Sequence, residues 1–298
     1  MKSRFSTLSI RLLFACSFLA SVSCVSDQQE SAVARQPATD PAEKTEGENK
    51  KDGESVTHDT KLRPIGPVIG KDYQVDLGAG VVMEFIWIDA LSAWVGQYEV
   101  TNREFRRFRR NHDSGRFEWA NRRWTLNDAW QPVVMVSHED AEAFCDWLNQ
   151  RKGLAGGNPR ARLLNQKEWT MIARCGTTRE YPWGDKTPPT RGNYRDITVN
   201  EAVGAEGYQN MRDGFVVSAP VERSGSNEWG LYGVGGNVFE WTSQSRGSWR
   251  AMRGASWSDY ISMHLRVEAT FFEDKTKRDN NVGFRVIVAP TDPSQTEP

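Results

Sequence analysis

Histidine and cysteine are scarce in this chain of 298 residues, which has 4 of each. Four cysteines exclude a disulfide-dense scaffold. One of the four histidines, His58, falls in a polar N-terminal stretch, so no histidine-rich metal cluster can form. Net charge is nearly absent, with 38 Lys+Arg against 39 Asp+Glu. That balance removes any whole-chain argument for nucleic acid or for an acidic partner. No apolar run reaches the ~20 residues that a bilayer helix requires. Common catalytic motifs are missing as well. His138-Glu139 opens no two-histidine zinc helix, because position 142 is Glu142. Gly153, Gly156 and Gly157 precede no Lys-Ser/Thr and open no βαβ unit, so no phosphate loop is supported. Ser256, in Gly254-Ala255-Ser256-Trp257-Ser258, lacks the second glycine of a nucleophile elbow. Aromatics are absent between Phe18 and Tyr73, whereas all 12 Trp lie at or after Trp87. The chain is therefore made of two materials.

The first is polar and N-terminal. Lys2, Arg4 and Arg11 precede an apolar run from Leu12 to Val22, followed by Ser23-Cys24. A basic start, a short apolar stretch and a small residue before the cut form a secretory signal. Cys24 resembles the lipid-modified cysteine of bacterial lipoproteins, although Ser21 stands where that family usually has Leu. Residues 1–24 are thus expected to be a lipoprotein-like signal with Cys24 as the lipidation site. A plain secreted cut is the alternative. Residues 25–72 are rich in Glu, Asp, Lys, Gln, Ser and Ala and poor in large apolar groups. Such a segment cannot offset its ordering entropy by burial, and it predicts a disordered polar tether. The protein is expected to be exported and held at a bacterial cell envelope.

The second material spans 73–290 and predicts one domain, with a short polar tail at 291–298. Phe85-Ile86-Trp87-Ile88 and Trp94-Val95-Gly96 have strand composition. Thr101-Asn102-Arg103-Glu104 is a capping box, with Phe105 and Phe108 at helical spacing behind it. Arg103, Arg106, Arg107, Arg109 and Arg110 turn mostly away from those rings and predict a solvated face. Ala141, Phe144, Cys145 and Leu148 form one buried stripe of a second helix. Asn165 caps a third helix that carries Trp169, Ile172 and Ala173. Beyond Gly176 no long helical period occurs. A domain with so much coil needs large rigid side chains to fix its loops, and tryptophan supplies them. Cys145 and Cys175 could pair in an exported protein, or Cys145 could be a buried free thiol.

Nine local strings follow one another in a familiar order. They are Gly96-Gln97-Tyr98-Glu99-Val100-Thr101-Asn102; Gln131-Pro132-Val133-Val134 with Ser137; Ala143-Phe144-Cys145-Asp146-Trp147-Leu148; and Arg162-Leu163 with Glu168-Trp169 and Ala173-Arg174. Then come Tyr181-Pro182-Trp183-Gly184; Asp213-Gly214-Phe215 with Ala219-Pro220-Val221; and Gly230-Leu231-Tyr232 with Gly236-Asn237-Val238-Phe239-Glu240-Trp241. The last two are Arg253-Gly254-Ala255-Ser256-Trp257 and Asn281-Val282-Gly283-Phe284-Arg285. Together they resemble the formylglycine-generating-enzyme (sulfatase-modifying factor) family. Leu164-Asn165-Gln166 departs from it, since the family usually has Pro-Thr-Glu there. The resemblance implies a single α+β domain, low in regular structure and related to C-type lectin folds.

It also implies structural calcium. A first site would use the side chains of Asn193 and Asp213 with the carbonyls of Tyr194 and Phe215, an all-oxygen set suited to Ca2+. A second would use Glu240 with the carbonyls of Gly236 and Val238. Its remaining side-chain ligand would fall at Gly233, which has none. Oxidase members of the family carry two cysteines that bind copper and react with the substrate thiol. Here those positions are Asp259 and His264, while Ser256, a further active-site residue, matches. Asp and His cannot exchange disulfides, and they favour harder metals than Cu(I). Formylglycine generation is therefore not expected, nor is bound copper or iron.

Three functions stay open. One is a non-catalytic binding or scaffold lipoprotein with a protein or glycan partner in the envelope. The lectin-like variants of the superfamily face their ligands with the stretch matching Trp257 to Phe272. Here that stretch offers Trp257, Tyr260, Arg266, Glu268 and Phe271, a mixture that binding surfaces favour. A second is a metal-dependent oxidoreductase using Ser256, Asp259 and His264. A third is an accessory factor of an exported enzyme.

Overall fold

Strand β1 (Tyr73–Gly78) alternates buried and exposed positions, and it pairs antiparallel with β2 (Val81–Ile88). The register partners Tyr73 and Phe85 stack with ring centroids 5.1 Å apart. These elements belong to a computed structural model that describes residues 66–290, except 152 and 155–157. The signal, Cys24, the tail and all of the tether before residue 66 lie outside the described residues. The end of the expected tether is already part of the domain. Trp94 Nε1 donates to the Lys71 carbonyl and Trp87 N to Asp72 Oδ1, both at 2.9 Å. Polar residues are pinned there because neighbouring indoles and backbone need acceptors.

Strand β3 (Ala93–Gly96) extends the sheet, and the chain's final strand, here β11 (Val286–Ala289), inserts between β3 and β6 (Arg160–Leu163). All four residues of Val286–Ala289 are buried, as an unbroken apolar run in a central strand requires. Helix α1 (Asn102–Phe108) and helix α2 (His138–Leu148) both carry the expected capping boxes. The α2 stripe is buried throughout, and Phe105, Phe144 and Phe284 join the two helices to the core. Helix α3 (Gln166–Arg174) starts at the Asn165 cap and buries Trp169, Ile172 and Ala173. Cys145 and Cys175 are both free, Cys145 buried on α2 and Cys175 at the left-handed end of α3.

The arginine face of α1 departs from expectation. Arg106 donates to the carbonyls of His112 and Asn127, and Arg107 to that of Leu77. Arg109 pairs with the buried Asp140, which Arg278 also meets at 2.6 Å. Long cationic stems lie along the surface while their heads satisfy loop carbonyls. Only part of this face is a solvated one.

A second sheet has the order β10 (Val282–Phe284), β7 (Phe239–Arg246), β8 (Trp249–Arg253), β9 (Thr270–Asp274). Strand β10 runs directly into β11, so Arg285 stands at the junction of the two sheets. A small hairpin, β4 (Arg116–Trp119) with β5 (Arg122–Thr125), packs against the end of α4 (Ile197–Val203). Arg122 and Trp119 donate to the Ala202 and Val203 carbonyls there. Tryptophans do fix loops. The indole N–H of Trp241 holds the Val136 carbonyl at 3.1 Å, and that of Trp183 holds Lys186 at 2.6 Å.

Candidate functional site

Strand β8 ends at Arg253, and glycine suits position 254 twice over: its φ is +81, and a side chain there would press on Trp169 and on Gly235. The chain then closes on itself. Ser256 N and Oγ donate to Asp259 Oδ2 at 3.1 and 2.5 Å, and Asp259 N returns to the Ser256 carbonyl at 3.0 Å. Asn281 Nδ2 reaches Ser256 Oγ and Ser258 Oγ at 3.3 and 3.2 Å. Asp259 Oδ1 lies 3.9 Å from His264 Nδ1, and His264 meets the Phe271 ring edge-on. Burial pushes the Asp259 carboxyl above its ordinary value, against the pull of its Ser256 hydrogen bonds. The three expected catalytic candidates therefore do come together.

Their order matters chemically. The carboxylate sits between serine and histidine, whereas a nucleophilic serine needs the imidazole on its own hydroxyl. Ser256 is also fully buried. Asp259 and His264 make a pair, and a metal needs a third ligand. Among the described residues no group of three or more His, Cys, Asp or Glu side chains is placed to hold a metal ion.

The expected ligand face divides. Trp257 is a correction: it is only 4% exposed and packs with Leu126, Val134, Val217 and Val238 beneath Phe117 of the β4–β5 hairpin. Apolar burial under the hairpin removes it from any surface. Arg266 pairs with Glu180, and Glu268 with Arg174, at 2.8 and 2.7 Å. Tyr260 stays half-exposed, with the Arg195 guanidinium over its ring and its hydroxyl donating to Glu206 Oε2. Phe271 is half-buried against Phe239. Sequence reasoning missed Ile261 and Met263, which are 46% and 65% exposed beside His264. It also missed Asn281 and Arg195 as organisers, although Asn281 opens one of the nine strings.

In the first expected calcium set, the backbone amides of Tyr194 and Phe215 bond the Asp213 carboxylate, Tyr194 N to Oδ2 at 3.0 Å and Phe215 N to Oδ1 at 2.8 Å. Asn193 is buried with its Nδ2 bonded to the Val217 carbonyl and to Asn237 Oδ1, but its Oδ1 has no partner. Burial, aided by the nearby Asp196, pushes Asp213 up to about 7. The unpartnered Asn193 Oδ1 is the atom of this set that a cation would satisfy. In the second set, Glu240 accepts from Trp169 Nε1 at 2.8 Å and from Arg285 Nε and Nη2 at 2.9 and 2.8 Å. The Tyr194 hydroxyl donates to the Gly235 carbonyl, one residue before Gly236 of the second set.

A family model described as the sulfatase-modifying factor enzyme 1-like domain matches residues 84–290. The inactive C-alpha-formylglycine-generating enzyme 2 of Bos taurus is 35% identical over 164 residues, 52% of this chain and 49% of that protein. The formylglycine-generating enzyme of Mus musculus is 34% identical over 142 residues, 47% of this chain and 30% of that protein. The alignments thus span about half or less of these curated relatives. Among solved structures, Treponema denticola variable protein 1 aligns with a TM-score of 0.52 at 17% identity, over 75% of this chain and 100% of that one. At that identity the likeness concerns the fold alone.

Proposed function

The chain belongs to the sulfatase-modifying factor (formylglycine-generating enzyme) family, with its single α+β, C-type-lectin-related domain, and on that premise we propose a calcium-stabilised binding or scaffold domain without formylglycine-generating activity. The carrying observation is the pairing of Asp259 with His264 where the oxidases have thiols. A carboxylate cannot attack a disulfide, and neither group binds Cu(I) as a thiolate pair does. The remaining cysteines sit on α2 and at the end of α3. Some curated relatives are themselves described as inactive.

The binding surface is centred on Tyr260, Ile261, Met263, His264 and Phe271, and it takes a protein or glycan of the cell envelope. Export and a lipid anchor at Cys24 complete the proposal and rest on the sequence of the N-terminus. The oxidoreductase alternative lacks a third ligand beside Asp259 and His264 among the described residues. The accessory-factor alternative would use the same surface.

The test is oxygen uptake by purified protein given copper and a cysteine-containing peptide. Uptake should equal that of an Asp259→Ala/His264→Ala double variant. Peptide oxidation that the double substitution abolishes would overturn the proposal.

A further inference from the structure

Tyr194 and Arg195 share one peptide group, and its two polar ends belong to different sites. The carbonyl of Tyr194 is an oxygen of the first expected calcium set. The N–H of Arg195 donates to the Asp259 carbonyl at 3.0 Å. A peptide group is planar, so fixing one end fixes the direction of the other. The Arg195 side chain grips the same loop. Its Nε donates to the Ser258 carbonyl at 2.7 Å, and its guanidinium lies 4.7 Å over the Tyr260 ring.

Neighbouring residues make the same connection. The Asn193 carbonyl accepts from Asn237 N, and the Asn237 carbonyl from Trp257 N, both at 2.9 Å. The Arg195 carbonyl accepts from Tyr208 N at 3.0 Å, and the Tyr208 and Ser262 hydroxyls stand 3.1 Å apart. Glu206 Oε2 accepts from the Tyr260 hydroxyl at 3.1 Å. A Cβ on Gly207 would lie 2.8 Å from the Arg195 carbonyl, so glycine lets Glu206 and Tyr208 sit this close to residue 195. Segment 193–208 thus grips the loop 257–262, the centre of the candidate binding surface.

That segment also carries an unmet demand. Asn193 Oδ1 is buried without a partner, and an unsatisfied buried acceptor costs free energy that a shift of the segment would relieve. A cation held by Asn193 Oδ1, Asp213 and the Tyr194 carbonyl would remove that cost and fix the peptide plane. It would also polarise the amide, which strengthens the Arg195 N–H as a donor to Asp259. We propose that calcium at the first set orders the loop 257–262, and that Arg195 is the positioning residue that transmits the effect. The binding surface is then firm in calcium-loaded protein and loose in calcium-free protein.

The inference rests on the first calcium set and on the binding surface of the proposed function. Amide hydrogen exchange of the full-length protein, read by mass spectrometry with calcium and with a chelator, tests it beside thermal unfolding. At ~100-fold excess over Kd, openings that break the site become about 100-fold rarer, so exchange in 256–265 should slow about tenfold or more. The β1–β2 turn at 78–81, bonded to α1 through Arg103, should exchange alike in both conditions. A Tm that rises with calcium while exchange in 256–265 stays the same overturns the inference and keeps the calcium set. A Tm and an exchange rate that both ignore calcium overturn the set and the inference together. Arg195→Ala should keep the rise in Tm and lose the larger part of the slowing in the loop. Equal speeding with calcium and with chelator would make Arg195 a plain brace and overturn its assigned role. The unaltered protein alone decides the coupling, whether or not the variant folds.

Discussion

Trp257 shows how a single residue changes meaning once its neighbours are known. Its ring is covered by Phe117 at 5.1 Å between centroids, and Leu126, Val134, Val217 and Val238 complete the pocket. It anchors the loop that carries Ser256 and Asp259, and it does so from below. Trp257→Ala should cost about 3–5 kcal/mol of stability, the usual price of a large aromatic removed from a packed core. Urea denaturation measures this directly, and a loss below ~1 kcal/mol would mean the ring is not core. Tyr260 is the contrasting case, held at the surface by Arg195 and Glu206. The residues expected at the catalytic positions were legible one by one. Their order, with the carboxylate in the middle, was not, because it depends on how the chain turns back between 256 and 264.

At the scale of elements, the helices were readable and the sheets less so. Capping boxes and apolar stripes are local, and they placed α1, α2 and α3 from the sequence. The insertion of β11 between β3 and β6 joins the two ends of the domain, which no local pattern encodes. Helix α2 carries a further consequence at its first turn. His138 is buried, with Nε2 on the Thr242 carbonyl at 3.0 Å and Nδ1 3.3 Å from Glu142. Burial lowers its pKa below the ordinary 6.5, outweighing Glu142, and His112 shifts in the same direction for the same reason. A histidine depressed on folding stabilises the neutral form. Its contribution is full above about pH 6.5 and is lost as the unfolded chain takes up protons below it. The histidine contribution to the urea midpoint should therefore fall between about pH 7 and about pH 5, against the opposite trend of Asp213, whose carboxyl burial pushes up to about 7. His138→Gln should flatten that fall, and an unaltered slope would show that His138 is not responsible.

For the whole molecule, the question is what holds so much coil in one arrangement. Indole N–H groups tie individual loops, and two buried polar sets tie the longest ones together. Asn193 and Asp213 fix the loop before and after α4, while Glu99, Glu240 and Arg285 fix the junction of the sheets. The first set was legible because its residues fall in matching strings. The second was only half legible: Gly233 lacks a side chain, and that the Glu99 carboxylate occupies its space is visible only in the tertiary fold. Ions that bind the folded state alone stabilise it by mass action, by about 2.7 kcal/mol at ~100-fold excess over Kd. The most direct measurement is therefore thermal unfolding with calcium and with a chelator. Calcium should raise Tm by about 5–10 °C for each occupied site, and Asp213→Ala should lose the share of its own site. Identical melting curves with calcium and with chelator would contradict a calcium-held domain.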